Sequence, residues 1–198
     1  MPRARFARLL AVAGVAALMP LAGASSAHAA TYVGIYALYN DTTGKCADLP
    51  NYGPNPLNTP VTQYNCTLGT ADNQMWDLEY TRTDNGVRLY QFVNDKSGYC
   101  LDLPNYGSDP AGTKLYTYTC NSNPASDNQE WYFNDVTGNG DYEIVNDKDG
   151  LCLDVSGLAG DGTDLANNLP LTVYPCYNSS WTGGYISGYD DHLWKLAS

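Results

Sequence analysis

The chain repeats one pattern three times, and this limits what it can fold into more than any other feature. Each copy begins Asn-Asp, has Gly two residues before a Cys, and places Asp two residues after that Cys. The copies begin at Asn40, Asn94 and Asn146, which are 54 and then 52 residues apart. Units of roughly fifty residues in tandem indicate one small supersecondary unit, whose apolar face is buried only when the copies pack together.

The similarity continues downstream of the first Cys in every copy. A second Cys follows the first by 20, 20 and 24 residues, and an aromatic residue stands two positions before it at Tyr64, Tyr118 and Tyr174. Each copy closes on a tryptophan motif: Asp72-Asn73-Gln74-Met75-Trp76, Asp127-Asn128-Gln129-Glu130-Trp131 and Asp190-Asp191-His192-Leu193-Trp194.

The local patterns predict strands and turns. Apolar and polar residues alternate in 33–38, 87–93 and 171–174, which is typical of half-buried strands, and residues that favour turns fill 51–60 and 137–141. No window of helical length keeps a 3.6-residue period without an interrupting Gly or Pro. The predicted class is therefore all-β, and six apolar residues are expected in the shared core: Leu49, Leu103, Val155, Trp76, Trp131 and Trp194.

The first 29 residues differ from the rest and predict a secretory signal peptide. Arg3, Arg5 and Arg8 precede an almost wholly apolar run at 9–21, and Ala27-His28-Ala29 offers the small-residue pattern of a cleavage site. The apolar run is too short for a membrane span. We therefore expect a secreted, single-domain protein at 30–198, with repeats at approximately 31–82, 83–136 and 137–198.

The charge of the chain limits its partners. Cleavage before Ala30 would remove three Arg and no acids, which takes the formal net charge from −11 to −14. Nucleic acid and anionic membrane are poor partners for so acidic a protein, because both are bound through basic surfaces. Neutral and cationic ligands remain possible.

The six Cys all lie in the predicted exported part, where an even number indicates three disulfides. Fifteen pairings are possible, and the threefold regularity favours Cys46–Cys66, Cys100–Cys120 and Cys152–Cys176. No thiol is then left for catalysis. One His remains after processing, His192, which argues against a Ser-His-Asp triad and against a metal site of several His.

Three copies of Cys-x-Asp, aromatic-x-Cys and Asn-Gln-x-Trp resemble the ricin B-type β-trefoil lectins, whose bacterial members are also called family 13 carbohydrate-binding modules. The resemblance covers about 31–198. It implies a β-trefoil of twelve strands with pseudo-threefold symmetry. It also implies up to three shallow sites for sugars, one in each repeat, with no cofactor and no catalytic residues.

The resemblance also implies a role for each motif residue. The Asp accepts hydrogen bonds from two neighbouring sugar hydroxyls, the aromatic residue stacks on the sugar ring, the Asn adds a hydroxyl contact, and the Gln braces the Asp. The implied sets are Asp48, Tyr64, Asn73 and Gln74 in the first copy, and Asp102, Tyr118, Asn128 and Gln129 in the second. The third copy keeps Asp154 and Tyr174, but has Asp191 for Asn and His192 for Gln.

Several interpretations of these residues stay open. The three Asp could instead cap turns and the three Tyr could be ordinary strand residues. Pro50-Asn51-Tyr52-Gly53 and Pro104-Asn105-Tyr106-Gly107 either wall the sugar sites or form turns with a packed Tyr. His192 is expected to replace Gln as a hydrogen-bonding partner.

The third copy spans 18 residues from its second Cys to its Trp, against 10 and 11 in the others. This insertion either forms an added aromatic platform or covers a core edge: Tyr177, Trp181, Tyr185 and Tyr189.

Two acidic segments have a faint likeness to calcium loops, beginning at Asp135 and Asp147, but neither places an acid at the twelfth position. We predict turns there and no metal site.

The predicted function is a secreted, non-catalytic lectin that binds neutral glycans containing galactose, arabinose or xylose. The alternatives are a glycoside hydrolase and a β-trefoil protease inhibitor or interaction protein.

Overall fold

The computed structural model describes residues 30–136, 138–157, 162–176 and 191–198, so the predicted signal peptide lies outside the described residues. Within these ranges the regular structure is β-strand, apart from one short 3-10 helix at Pro124–Ser126. No helix in the described ranges is long and apolar enough to cross a membrane. The strands are β1 Thr31–Asn40, β2 Lys45–Asp48, β3 Thr62–Asn65, β4 Met75–Asp84, β5 Val87–Asn94, β6 Cys100–Asp102, β7 Tyr116–Tyr118, β8 Trp131–Asp135, β9 Tyr142–Asn146, β10 Leu151–Val155, β11 Leu171–Pro175 and β12 Leu193–Ala197.

Six of the strands close into a barrel and the other six form three hairpins. The antiparallel ring runs β1–β4–β5–β8–β9–β12 and returns to β1. The hairpins β2–β3, β6–β7 and β10–β11 each pair with one barrel strand. This is a β-trefoil, which confirms the predicted fold class. Each repeat contributes four strands, although the approximate boundary expected at 82/83 falls just before the end of β4.

The three hairpins are joined at the pseudo-threefold axis by a ring of backbone hydrogen bonds. The N–H of Val61 donates to the carbonyl of Leu115 at 3.0 Å, Leu115 donates to Leu171 at 3.0 Å, and Leu171 donates to Val61 at 2.9 Å. All three side chains are fully buried. Each copy therefore satisfies a buried backbone group of the next, which a single copy could not do alone.

The core is the one that the repeat pattern predicts. The three motif tryptophans have no exposed surface, and neither do Leu49, Leu103 and Val155. All six belong to one continuous apolar cluster that draws on every copy. Small units of this size obtain their stability from such a shared core.

Three disulfides reinforce the hairpins. They connect Cys46 with Cys66, Cys100 with Cys120 and Cys152 with Cys176, which is the predicted pairing. Each closes a loop of 20 to 24 residues. In the chain-entropy model a loop of this length contributes about 3 kcal/mol to the free energy of unfolding.

The Asn that opens each copy sets the turn leading to the site. The Oδ1 of Asn94 accepts from the N–H of Ser97 at 3.1 Å, and the N–H of Gly98 donates to the carbonyl of Asn94 at 2.8 Å. Gly98 has φ of 69°, a conformation that favours glycine. The turn therefore delivers Cys100 and Asp102 to the hairpin in the same way as in the other two copies.

Candidate functional site

Two pockets of the same construction lie beside the β2–β3 and β6–β7 hairpins. The first pocket has a volume of about 360 Å³ and the second about 250 Å³. Corresponding residues line both of them: Asp48, Pro50, Asn51, Tyr52, Tyr64, Asp72 and Asn168 in the first, and Asp102, Pro104, Asn105, Tyr106, Tyr118, Asp127 and Asn58 in the second. The structure thus brings together the predicted Asp and Tyr of each of the first two copies.

A buried glutamine holds the central carboxylate of each pocket. The Nε2 of Gln74 donates to Oδ1 of Asp48 at 2.9 Å, while its Oε1 accepts from the N–H of Thr67 at 2.7 Å. The Nε2 of Gln129 donates in the same way to Oδ1 of Asp102 at 2.8 Å. Both glutamines are fully buried, so they brace the aspartates and leave the second carboxylate oxygen for other partners.

The tyrosines supply flat, partly exposed surfaces. Tyr64 is 38% exposed and Tyr118 is 37% exposed, although both lie on strands. An aromatic ring that stays accessible beside a carboxylate can pack against the apolar face of a sugar while the carboxylate accepts its hydroxyls.

Asn73 and Asn128 lie beneath the surface of the two pockets. Both are fully buried, and neither lines a pocket. The Nδ2 of Asn73 donates to the carbonyls of Asn51 at 3.1 Å and Gly53 at 3.2 Å. The Nδ2 of Asn128 similarly reaches the carbonyl of Gly107 at 3.1 Å. The geometry gives these residues a positioning role, and the hydroxyl contact that the resemblance implies stays a prediction.

The Pro-Asn-Tyr-Gly segments form the outer walls of the pockets. Tyr52 is 71% exposed and Tyr106 is 64% exposed, so neither ring is packed into the core. Asn51 and Asn105 have φ of 67° and 68°, a left-handed conformation that Asn tolerates better than most residues. The structure therefore supports the interpretation that these segments wall the pockets, and not the one in which they are turns with a packed Tyr.

Each pocket contains a second carboxylate that the sequence analysis did not assign. The Oδ1 of Asp72 accepts from the N–H of Asn73 at 2.8 Å, and Asp127 does the same for Asn128 at 2.9 Å. Both side chains also line the pockets. The available signal was their constant position before Asn-Gln-x-Trp in two copies.

The pair of carboxylates alters the acidity of the pockets. Burial raises the pKa of Asp48 to about 6, the amide of Gln74 acts against this, and the Asp72 carboxylate adds to the rise. Burial raises the pKa of Asp102 to about 7, again opposed by Gln129 and increased by Asp127. The first two sites therefore change charge in the pH range near neutrality.

One residue in each pocket comes from a neighbouring copy. Asn168 of the third copy lines the first pocket, and Asn58 of the first copy lines the second. Both have positive φ, and their N–H groups donate across the axis to the carbonyls of Gln63 and Thr117 at 2.8 Å. In the second copy the corresponding residue is Gly112, whose N–H donates to the carbonyl of Val173 in the third copy. Glycine has no side chain that could line a third pocket.

The third copy differs from the other two around its aspartate. The Nε2 of His192 lies 3.3 Å from Oδ1 of Asp154, which is the place that the Gln amide takes in the other copies. The Oγ1 of Thr172 donates to Oδ2 of Asp154 at 2.5 Å. Both oxygens of Asp154 therefore have a neighbour within the protein. His192 thus lies beside the aspartate in the position of the Gln, as the sequence predicts.

Tyr174 is 51% exposed and its ring centre lies 6.3 Å from that of His192. The aromatic residues of the insertion that the sequence analysis singled out lie outside the described residues. They stay predictions: Tyr177, Trp181, Tyr185 and Tyr189.

A family model described as "Ricin-type beta-trefoil lectin domain-like" matches residues 26–118 and 72–168, which together cover more than half of the chain. No curated protein matches the chain.

Solved structures support the fold. A designed threefold-symmetric protein, ThreeFoil, is 24% identical with a TM-score of 0.61, over 84% of this chain and 99% of that one. The Rhizoctonia solani agglutinin is 22% identical with a TM-score of 0.59, over 83% and 94%. The C-half of the earthworm R-type lectin, solved in complex with GalNAc, is 17% identical with a TM-score of 0.51, over 83% and 99%.

Proposed function

Because the chain belongs to the ricin-type β-trefoil lectin domain-like family, we propose that it is a secreted, non-catalytic lectin that binds neutral glycans through its first two pockets. Galactose-, arabinose- and xylose-containing glycans are the proposed ligands. The earthworm R-type lectin with GalNAc is one example of a structurally similar protein with a sugar bound. The predicted signal peptide at 1–29 is the basis for proposing secretion.

The observation that carries this proposal is the construction of the two pockets. Each holds a carboxylate braced by Gln, an accessible Tyr beside it and a second Tyr on the outer wall. A carboxylate accepts two hydroxyls at once, and the rings suit the apolar face of a sugar. Volumes of 250–360 Å³ are at the small end for ligand sites, which fits one or two sugar units.

The acidity of the protein favours neutral ligands. Paired carboxylates in each pocket and a formal net charge of −11 would repel uronic acids and sulfated glycans. Two pockets on one body would also favour polysaccharides over free sugars, since the second binding event becomes intramolecular.

Binding to arrayed neutral glycans tests the proposal. We expect the purified protein to bind, and Asp48→Ala/Asp102→Ala to lose binding while keeping the far-UV spectrum and Tm of a folded trefoil. Asp95→Ala is the matched control, because Asp95 is an exposed acid outside both pockets. Retention of binding in the double variant would contradict the assignment of these two pockets.

Hydrolysis is the second candidate, because each pocket contains two carboxyl groups and one of them has a raised pKa. Glycoside hydrolases use such a pair. We propose binding without turnover, and incubation with chromogenic glycosides checks this. Sustained release of the chromophore that disappears in Asp102→Ala would favour the hydrolase.

A further inference from the structure

The third copy holds a buried cluster with the donor atoms of a metal site. One ligand atom each from Asp154, Asp191 and His192 lie within 4.8 Å of one another. Asp154 is 8% exposed and Asp191 is 4% exposed. Two carboxylates and an imidazole have thus been brought together where the other copies have a carboxylate and two amides.

The first two copies serve as internal references for this cluster. Asp191 stands where they have Asn73 and Asn128, neutral residues whose amides hold the Pro-Asn-Tyr-Gly walls. The third copy lacks that segment, and its second carboxylate lies against Asp154 instead. Two buried carboxylates this close do not both stay charged unless a cation neutralises them; otherwise they share a proton.

The charges described around the cluster do not provide this neutralisation. Among the described residues, no Lys or Arg forms an ion pair with Asp191. The basic side chain that the structure places against this pair is His192, whose Nε2 lies 3.3 Å from Oδ1 of Asp154.

Buried acids of the third copy also lack hydrogen-bond donors. Asp164 is 1% exposed, and neither of its carboxylate oxygens has a hydrogen-bond partner. Oδ2 of Asp191 is also buried without a hydrogen-bond donor. Buried carboxylate oxygens without donors are unusual, and at Asp191, whose carboxylate lies among the ligand atoms of this cluster, the missing donor points to a cation.

We propose that the third copy binds a divalent transition-metal cation, with Asp154, Asp191 and His192 as ligands. Two carboxylates balance the charge of a dication, and a mixed oxygen and nitrogen set suits Zn²⁺. Ca²⁺ prefers six to eight oxygen ligands, which an imidazole does not supply. This inference goes beyond the proposed sugar binding, because it gives the third copy a ligand of a different class.

Calorimetric titration with ZnCl₂ tests the site directly. The protein is prepared without a polyhistidine tag and treated with EDTA, which is then removed. We expect saturable binding of one Zn²⁺ for each chain, a rise in Tm on adding zinc, and much weaker binding of CaCl₂. Stronger binding of Ca²⁺ than of Zn²⁺ would contradict the metal class.

The other copies suggest the variants. Asp191→Asn and His192→Gln give the third copy the residues of the first two, so both changes are compatible with the fold. We expect each to weaken zinc binding at least about tenfold. In EDTA, Asp191→Asn should have a Tm equal to or above that of the wild type, because it removes a buried charge, but zinc should no longer raise it. Asp95→Asn is the control and should bind zinc like the wild type.

Two results would overturn the proposal. One is the absence of saturable zinc binding by the wild type. The other is unchanged affinity in Asp191→Asn/His192→Gln, which would leave a proton shared by Asp154 and Asp191 as the neutralising charge. Neither result bears on the glycan assay, since that assay reports on Asp48 and Asp102.

Discussion

Single residues distinguish the two complete pockets from the third copy, and one of them comes from another repeat. Asn168 and Asn58 each line the pocket of the next copy, whereas Gly112 makes the equivalent backbone hydrogen bond to the third copy. An amide can donate to and accept from sugar hydroxyls. The pockets are therefore composite, and the third copy lacks one of their polar groups.

Replacing Asn168 with Gly removes this amide without disturbing the backbone, because glycine accepts the φ of 64° found there. We expect Asn168→Gly on an Asp102→Ala background to weaken glycan binding by roughly 2- to 10-fold, the value of one hydrogen bond. On the same background only the first pocket is intact, so Asn58→Gly is the matched control and should have no effect. Calorimetric titration measures both. Equal weakening by the two variants would contradict the composite pocket.

At the scale of the elements, the copies are joined by the Asn that opens each of them. The Nδ2 of Asn94 donates to the carbonyl of Asn73 at 2.7 Å, and Asn146 makes the same bond to Asn128 at 2.7 Å. Asn40 reaches the carbonyl of Asp191 at 2.6 Å. One side chain therefore sets the turn of its own copy and contacts the tryptophan motif of another.

Asn94→Ala removes the side-chain donor to the carbonyl of Asn73 and the acceptor of the turn. We expect a loss of about 2–3 kcal/mol in the free energy of unfolding, as for other buried polar groups left unpaired. Chemical denaturation of the disulfide-bonded protein measures it. Asp95→Ala, at the adjacent exposed position, should change stability by less than about 0.5 kcal/mol. Equal effects of the two substitutions would mean that the link between copies is not structural.

At the scale of the whole molecule, binding and stability should respond to pH in opposite directions. The pKa values of Asp48 and Asp102 rise from 3.8 to about 6 and about 7 on folding. The folded state therefore holds these protons more strongly than the unfolded state does. The free energy of unfolding falls as pH rises from about 4 to 7, while the ionised form that accepts two hydroxyls increases.

We expect the Tm to be higher at pH 5 than at pH 8, and glycan affinity to be lower at pH 5, with EDTA present throughout. Asp127→Asn on an Asp48→Ala background isolates the second pocket and removes a charge that raises the pKa of Asp102. The midpoint for loss of binding should therefore move to lower pH. Scanning calorimetry and titration across this range check both parts. An unchanged midpoint would contradict the coupling of the two carboxylates.

The sequence alone determined the features that depend on short, repeated spacing. The all-β class, the buried Trp76 and the pairing of Cys46 with Cys66 follow from patterns within one copy, because a hairpin brings such residues together locally. The brace of Asp48 by Gln74 was implied by the family resemblance, and the structure shows this contact within the same copy. Three equivalent copies made these signals stronger than a single occurrence would have been.

Only the tertiary structure decided what the copies do for one another. Asn168 reaches the pocket of Asp48 because the barrel closes and the hairpins meet at the axis, and no local pattern encodes that contact. The role proposed for Asp191 depends on its position beside Asp154, whereas the corresponding Asn73 and Asn128 contact a loop. Contacts of this kind depend on closure of the whole chain, so their partners are set by geometry across the axis and not by distance along the sequence.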